Sequence, residues 1–245
     1  MRWLVLSDIH GNIDALDAVL ADAEGHWDRV LCLGDLVGYG AAPSAVIARI
    51  RSLGPLLLRG NHDRVAAGLS GATDFSPLAR TAIEWTRSAL SPEERTWLAS
   101  MPVGPVTHDS GAVLCHGAPF DEDYYVVDLA DARMTFLREP FRVCLHGHTH
   151  LQTCFTMEGR AVIDRTPFRR ARHAVHLRTE HRWLINPGSV GQPRDGDPRA
   201  AYASWDAEAG VVELRRVDYD IAAAQGRMRA AGLPERLAER LEIGD

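Results

Sequence analysis

Residues 56–63 read LLLRGNHD, and the fold turns on how this stretch is understood. Three successive leucines suit a buried strand. Within three residues, however, the chain meets glycine, asparagine, histidine and aspartate, which an apolar interior cannot satisfy. A turn accounts for the glycine and the asparagine but not for the histidine. The same abrupt change recurs in RWLVLSD (2–8), RVLCLGD (29–35), AVLCHG (112–117), FRVCLHG (141–147) and RWLINPG (182–188). Runs this short, rich in Leu and Val and closed by Gly or Asp, predict strands buried on both faces. LLL is therefore expected in the core, and GNHD at the lip of a site.

The segments between these runs set the fold class. IDALDAVLADAE places Ile13, Leu16, Val19, Leu20 and Ala23 at helical spacing, with Asn12 as the N-cap. PSAVIARIRSLG is helical again and closes at Gly54. Strand, helix, strand, helix, strand predicts a parallel α/β sheet in the N-terminal part. Towards the C-terminus AYASWD and VVELRRV flank AEAG and predict an antiparallel hairpin, followed by a final helix broken near Gly232-Leu233-Pro234. Residues 74–101 read as two helices, each announced by Ser-Pro, that interrupt the strands as a small cap. The Arg- and His-rich stretch 158–182 has no clear period and reads as an irregular surface excursion. With no internal repeat and no linker, residues 1–245 read as one domain.

Composition narrows the classes of function. The 245 residues are 46% apolar, enough for one large core or two small ones. A net charge of −6 with scattered Lys and Arg argues against gripping long nucleic acid, and leaves a short anionic substrate open. Cys32, Cys115, Cys144 and Cys154 lack CxxC spacing, and three of them sit in apolar runs, as small hydrophobes do. Asp8 comes too early for a signal-peptide apolar region, and no run approaches the ~18 apolar residues of a membrane span. A cytoplasmic protein without membrane attachment is expected.

The strand ends hold the chemistry. In parallel α/β sheets the ligand crevice lies at the carboxyl ends of the strands. Those ends carry Asp8 and His10 (SDIHGN), Asp35 (GDLVGYG), Asn61 and His62 (GNHD), His116 (CHGAP), and His148 and His150 (GHTH). Oxygen and imidazole ligands without thiolate suit Mn²⁺, Fe or Zn²⁺, and so many side chains exceed the needs of one ion. They fit two metals sharing one carboxylate. Singly, each motif is weak: Asp-x-His arises by chance, NHD is commonly a turn, and a histidine after a strand is commonly a hydrogen-bonded edge residue. Their joint occurrence at one face of a sheet is not a coincidence of that kind.

SDIHGN, GDLVGYG, GNHD, CHG and GHTH, in this order, resemble the calcineurin-like metallophosphoesterase superfamily. The tail NPGSVGQPRDGDPRAAYA resembles its small bacterial and archaeal phosphodiesterase branch. The resemblance covers nearly the whole chain, including the helical pair at 74–101. It implies an α/β fold, a four-layer αββα sandwich of two mixed β-sheets with flanking helices. It also implies a centre of two divalent or trivalent transition metal ions, Mn²⁺ or Fe ahead of Zn²⁺, Ni²⁺ or Co²⁺. By motif position Asp8, His10 and His150 would hold one ion, Asn61, His116 and His148 the other, Asp35 would bridge, and His62 would be catalytic. The implied reaction is hydrolysis of a small organic or nucleotide phosphodiester by in-line attack of a metal-bridging hydroxide. The alternative is a dinucleoside polyphosphate hydrolase, which needs cations for the extra phosphates; only Arg59, Arg64, Arg194 and Arg199 lie near the motifs. A non-catalytic interaction scaffold should have lost ligands or the catalytic histidine, and this chain has all of them.

One departure from the pattern matters. In the protein-phosphatase branch the motif around Asp35 continues with an aspartate and an arginine that orient the catalytic histidine and bind phosphate. Gly38-Tyr39-Gly40 stand there instead, which argues against phosphoprotein substrates. What orients His62 is left open: Asp63 is the nearest candidate, or it caps the next turn. Other residues carry two readings each. His146 either supports the ligands or is an edge histidine with its own partner. Arg194 and Arg199 either reach a substrate phosphate or sit in a solvated turn. Tyr39 and Tyr124 either stack on a base or aryl group or simply pack. His173, His176 and His181 form a metal cluster only if the 158–182 excursion folds back.

Overall fold

The structure, a computed structural model, describes residues 1–167 and 169–245. In β1 (Arg2–Leu6) the side chains alternate between two cores, Leu4 and Leu6 facing one, Trp3 and Val5 the other. A strand dry on both faces is what its unbroken apolar run encodes. β2 (Arg29–Cys32) and β3 (Leu56–Leu57) join β1 in parallel, through α1 (Ile13–Asp22) and α2 (Pro43–Ser52). On its other side β1 pairs antiparallel with β11 (Ala200–Asp206), followed by β12 (Val211–Val217) and β9 (Arg172–His176). Asn12 caps α1 as expected, its side chain accepting from the Ala15 amide at 3.1 Å.

The second sheet runs β4 (Val106–Thr107), β5 (Val113–Leu114), β6 (Val143–Leu145), β10 (Arg182–Pro187), β7 (Gln152–Glu158), β8 (Ala161–Asp164). Its β5, β6 and β10 are mutually parallel, and the outer pairs are antiparallel. Trp183, Ile185 and Leu145 meet Trp3, Val5 and Leu31 between the sheets. Leu16, Val19, Val46 and Ile50 of α1 and α2 cover the outer face of the first sheet. Ala132 and Phe136 of α6 (Leu129–Arg138) cover Cys144, Phe155 and Leu184 on the second. The result is the helix–sheet–sheet–helix sandwich the resemblance implied.

Two expectations need correction. β3 is the edge strand of its sheet, so Leu56 and Leu57 are only half-buried and Leu58 alone is fully inside. The GNHD that follows opens a helix, α3 (Asn61–Ala66), with Gly60 as its N-cap. The stretch 158–182 is not irregular throughout: β8 and β9 lie in it, one at the edge of each sheet. Edge strands are covered on part of one face only, which is why no apolar period shows there; Phe168 lies outside the described residues.

The helical pair at 74–101 is present as α4 (Pro77–Ala89) and α5 (Pro92–Ala99), capped by Ser76 and Ser91. Both pack against α3. Ala79 and Ala82 of α4 also share a core with Tyr39 and with Met228 and Leu237 from α7 (Ile221–Ala230) and α8 (Glu235–Ile243). Among the described residues no helix is long and apolar enough to cross a membrane.

Candidate metal centre

The carboxyl ends of β1, β2, β3, β5 and β6 meet at one end of the sandwich, bringing Asp8, His10, Asp35, Asn61, His62, His116, His148 and His150 together, all of them buried. Asp8 (φ 53°), His10 (49°), Asp35 (56°), His148 (70°) and His150 (60°) occupy the left-handed region. Each such residue costs on the order of 1–3 kcal/mol. The loops hold it there by cross-bonding: His10 N–H donates to the Asp35 carbonyl, Gly147 N–H to that of His116, and Gly191 N–H to that of Asp8. Strain gathered at five facing side chains marks a site.

Each of these histidines except His62 has one ring nitrogen tied to a backbone carbonyl. His10 Nδ1 lies 3.0 Å from Val37 O, His116 Nδ1 2.9 Å from Leu33 O, His150 Nδ1 2.7 Å from Gln192 O and His148 Nε2 3.1 Å from Asp123 O. A carbonyl only accepts, so that nitrogen carries a proton, and in a neutral ring the other presents a lone pair. The lone pairs converge. Nε2 of His10 and Nε2 of His150 stand 2.9 Å apart with no proton left to share. The aspartates are treated in the same way. Asp8 Oδ2 accepts from His148 N–H at 3.1 Å, while its Oδ1 has no hydrogen-bond partner and lies 3.5 Å from His150 Nε2. Asp35 Oδ1 accepts from His62 N–H at 2.8 Å, while its Oδ2 lies 3.6 Å from His10 Nε2 and 3.4 Å from His116 Nε2.

Two groups that could hold a metal result: Asp8, His10, Asp35 and His150, and Asp35, His116 and His148. Asp35 belongs to both. Asn61 Oδ1 joins the second, 3.2 Å from His116 Nε2. Acceptors crowded this closely repel unless a cation lies among them, and tying the second histidine nitrogen to a carbonyl is the usual companion of metal ligation. Charge states agree for three of the four imidazoles, which burial keeps neutral. Burial pushes Asp8 up to about 7 and pulls His10 down to about 4 and His148 to about 3, so these imidazoles are neutral donors. Burial opposes ionisation of Asp35 and His116 as well, but their mutual attraction wins. It holds Asp35 well below the usual carboxylate range and lifts His116 to about 10, so His116 is the exception: its Nε2 faces Asp35 with a proton that a bound cation would displace.

His62 stands apart from the two groups. Its Nδ1 has no hydrogen-bond partner, and its ring lies among Phe75 (centroids 4.5 Å apart), Tyr39 (4.6 Å) and His10 (4.8 Å). A Cβ at Gly38 would collide with that nitrogen. Gly38-Tyr39-Gly40 thus leaves room for the ring and lays an aromatic face on it, where the phosphatase branch has a carboxylate. Asp63 does not orient His62. Both its oxygens accept backbone amides, from Asp35 (2.8 Å), Leu36 (2.9 Å), Val37 (3.3 Å) and Gly60 (3.0 Å), pinning the Asp35 loop to the start of α3. Asp63→Ala would orphan four buried donors at about 1–3 kcal/mol each if unrelieved. A loss of at least ~3 kcal/mol in denaturant unfolding is expected; a loss within ~0.5 kcal/mol would show that the loops hold without it.

The structure resolves the other open readings. His146 is fully buried and among the described residues neither of its ring nitrogens has a hydrogen-bond partner, so it is not an edge histidine with its own bond. His173, His176 and His181 line a separate pocket with Trp183 and belong to no metal-competent group among the described residues. Tyr124 donates to Asp131 at 2.8 Å and packs on Phe120. Its neighbour Tyr125 instead faces the site, its ring 3.9 Å from that of His148. Arg64 is paired with Glu122 and Asp123, Arg59 with Glu122, and Arg199 with Asp197. Arg194 lies over the Tyr39 ring at 5.3 Å. Phe75 and Tyr125 also line the cleft, and nothing in DFSP or DEDYYVVD distinguishes them from residues of a surface loop.

Fold and site together define a two-sheet α/β protein whose strand ends carry a buried, metal-competent carboxylate–imidazole centre. The chain belongs to the calcineurin-like phosphoesterase superfamily, whose domain model matches residues 1–210. Members of this family are phosphoric ester hydrolases. An uncharacterised protein of Methanocaldococcus jannaschii, MJ0912, is 33% identical over 98% of this chain and 97% of its own length. The crystal structure of a metallophosphoesterase from Sphaerobacter thermophilus superposes with a TM-score of 0.86 at 37% identity, covering 100% of this chain and 99% of that one. A symmetrical bis(5'-nucleosyl)-tetraphosphatase of Yersinia enterocolitica is 31% identical over 47% of this chain, a match spanning 41% of that enzyme.

Proposed function

We propose that the chain is a metal-dependent phosphodiesterase acting on a small organic or nucleotide phosphodiester, with residues 1–245 working as one cytoplasmic unit. The observation that carries the metal reading is the pair of ring nitrogens of His10 and His150 that face each other 2.9 Å apart beside two carboxylates, while the other nitrogen of each ring donates to a carbonyl. Asp8, His10 and His150 are assigned to one ion, Asn61, His116 and His148 to a second, and Asp35 to both. The mixed oxygen and imidazole set, free of thiolate, favours Mn²⁺ or Fe, with Zn²⁺, Ni²⁺ and Co²⁺ also compatible. Bound there, the ions supply Lewis acidity toward the phosphoryl oxygens and acidify a water for in-line attack.

The chain's own residues do the rest. His62, held by Tyr39 and Phe75, borders the cleft over the centre and is assigned to protonate the leaving oxygen or stabilise its charge. Arg194 reaches the same cleft as a cation. The dinucleoside polyphosphate reading draws on the partial likeness to the Yersinia enzyme, but it needs more positive charge than remains. Of the four arginines near the motifs, Arg59, Arg64 and Arg199 already have carboxylate partners. An interaction scaffold is disfavoured because every candidate ligand and His62 are present and converge.

The test is metal-free protein reconstituted with Mn²⁺, Fe²⁺ or Zn²⁺ and offered p-nitrophenyl phosphate, bis-p-nitrophenyl phosphate and diadenosine tetraphosphate. Diester turnover that depends on added metal, and exceeds that on the other two, is expected. Preference for the tetraphosphate would install the alternative. Saturating metal should also raise the melting temperature. At ~100 times Kd the gain is about 2.7 kcal/mol, equivalent to roughly 5–10 °C for a chain of this size.

A further inference from the structure

We infer that the cleft over the metal-competent groups is a subsite for a single phosphate carrying one nucleoside-like arm, with Arg194 at the phosphate and Tyr125 beneath the planar base; this rests on the phosphodiesterase reading. The cleft has a volume of about 430 Å³ and is lined by Asn61, His62 and His148 together with Tyr39, Tyr125 and Arg194. That is the lower part of the range for pockets that enclose a small organic ligand. It has room for one nucleoside-sized arm.

Two side chains there suit a nucleotide-like ligand. Arg194 is half-buried, and among the described residues no carboxylate lies within ion-pair distance of it. It is held by neutral groups, donating from Nη2 to Gln192 Oε1 at 2.9 Å and resting over Tyr39, while its buried Nε has no partner. A cation positioned without a counterion beside a phosphoryl-binding centre fits an incoming anion. Tyr125 packs against His148, the ring planes tilted by 35°, and yet remains 47% exposed on the lining of the cleft. An aromatic ring held by a buried imidazole and left half exposed in the cleft gives a stacking platform that any nucleobase can use. The other arginine on the cleft, Arg64, is consumed by Glu122 and Asp123. One unpaired guanidinium serves one phosphate.

The experiment uses the metal-reconstituted full chain, with thymidine 5'-monophosphate and inorganic phosphate titrated by calorimetry. Tyr125→Leu should weaken the nucleotide about tenfold or more and leave phosphate unchanged, whereas Tyr125→Phe should restore the nucleotide. Arg194→Gln should weaken both ligands about tenfold. Metal content is measured in each variant, and kcat/KM on p-nitrophenyl thymidine 5'-phosphate should fall in step with nucleotide affinity. Undiminished nucleotide binding by Tyr125→Leu with its metals in place would overturn the subsite, as would a wild type that binds phosphate as tightly as the nucleotide. If the binding pattern appears but the nucleotide ester is not hydrolysed, the subsite stands and the phosphodiesterase reading falls.

Discussion

Asp35→Asn should strip the protein of bound metal and of all but a trace of turnover. Asparagine keeps the bond that Asp35 Oδ1 accepts from His62 N–H at 2.8 Å, so the loop should survive. It replaces Oδ2, which lies 3.6 Å from His10 Nε2 and 3.4 Å from His116 Nε2, with an NH₂ whose hydrogens point where the cations are assigned. One negative charge disappears and two donors confront the ions. Breaking a buried charge pair from one side costs roughly 3–5 kcal/mol, or about 10²–10⁴ in affinity. Because both groups share Asp35, both ions should weaken together, whereas His150→Ala should weaken one first. Calorimetry with elemental analysis reads the outcome. A variant that still binds two ions at wild-type affinity would remove Asp35 from the shared position.

His62→Asn is expected to separate chemistry from metal binding. The His62 side chain belongs to neither metal-competent group, and its ring is held by Tyr39 and Phe75. Metal content should therefore be unchanged while turnover falls by about 10²–10⁴, the range for a lost general acid. The loss should depend on the leaving group. A p-nitrophenolate departs without a proton, so bis-p-nitrophenyl phosphate should suffer less than a diester losing a ribose alkoxide. Equal losses on the two substrates would leave His62 an electrostatic role only. Loss of metal would make it a ligand and the reading of GNHD wrong.

Much of this was legible in the sequence, for a definite reason. Apolar runs cut short by Asp, Asn and His locate strand ends, and the ends of parallel strands share one side of a sheet. The ligand candidates can therefore be gathered from SDIHGN, GDLVG, GNHD, CHG and GHTH alone. Ser-Pro announced both cap helices, and Asn12 its helix, because capping is a local matter of backbone donors and a nearby oxygen. Where neighbours decide, the sequence was mute. LLL at 56–58 has the composition of a core strand but lies at a sheet edge, and 158–182 looked irregular because each of its strands has a partner on one side only.

The sequence by itself determined the kinds of atoms at the site and the ends of the strands that bear them. Only the tertiary structure decided how those atoms are aimed. The proton on His10, His116, His148 and His150 is placed by carbonyls as far away as Val37, Leu33, Asp123 and Gln192, contacts between loops of separate strands. Asp63, one residue from His62, turned out to hold backbone amides across 28 residues of chain instead of the imidazole beside it. Tyr125 faces the cleft and Tyr124 does not, because adjacent side chains in an extended loop point to opposite sides and only packing says which side is in. Local patterns encode what one element needs; the direction of a lone pair depends on several elements at once.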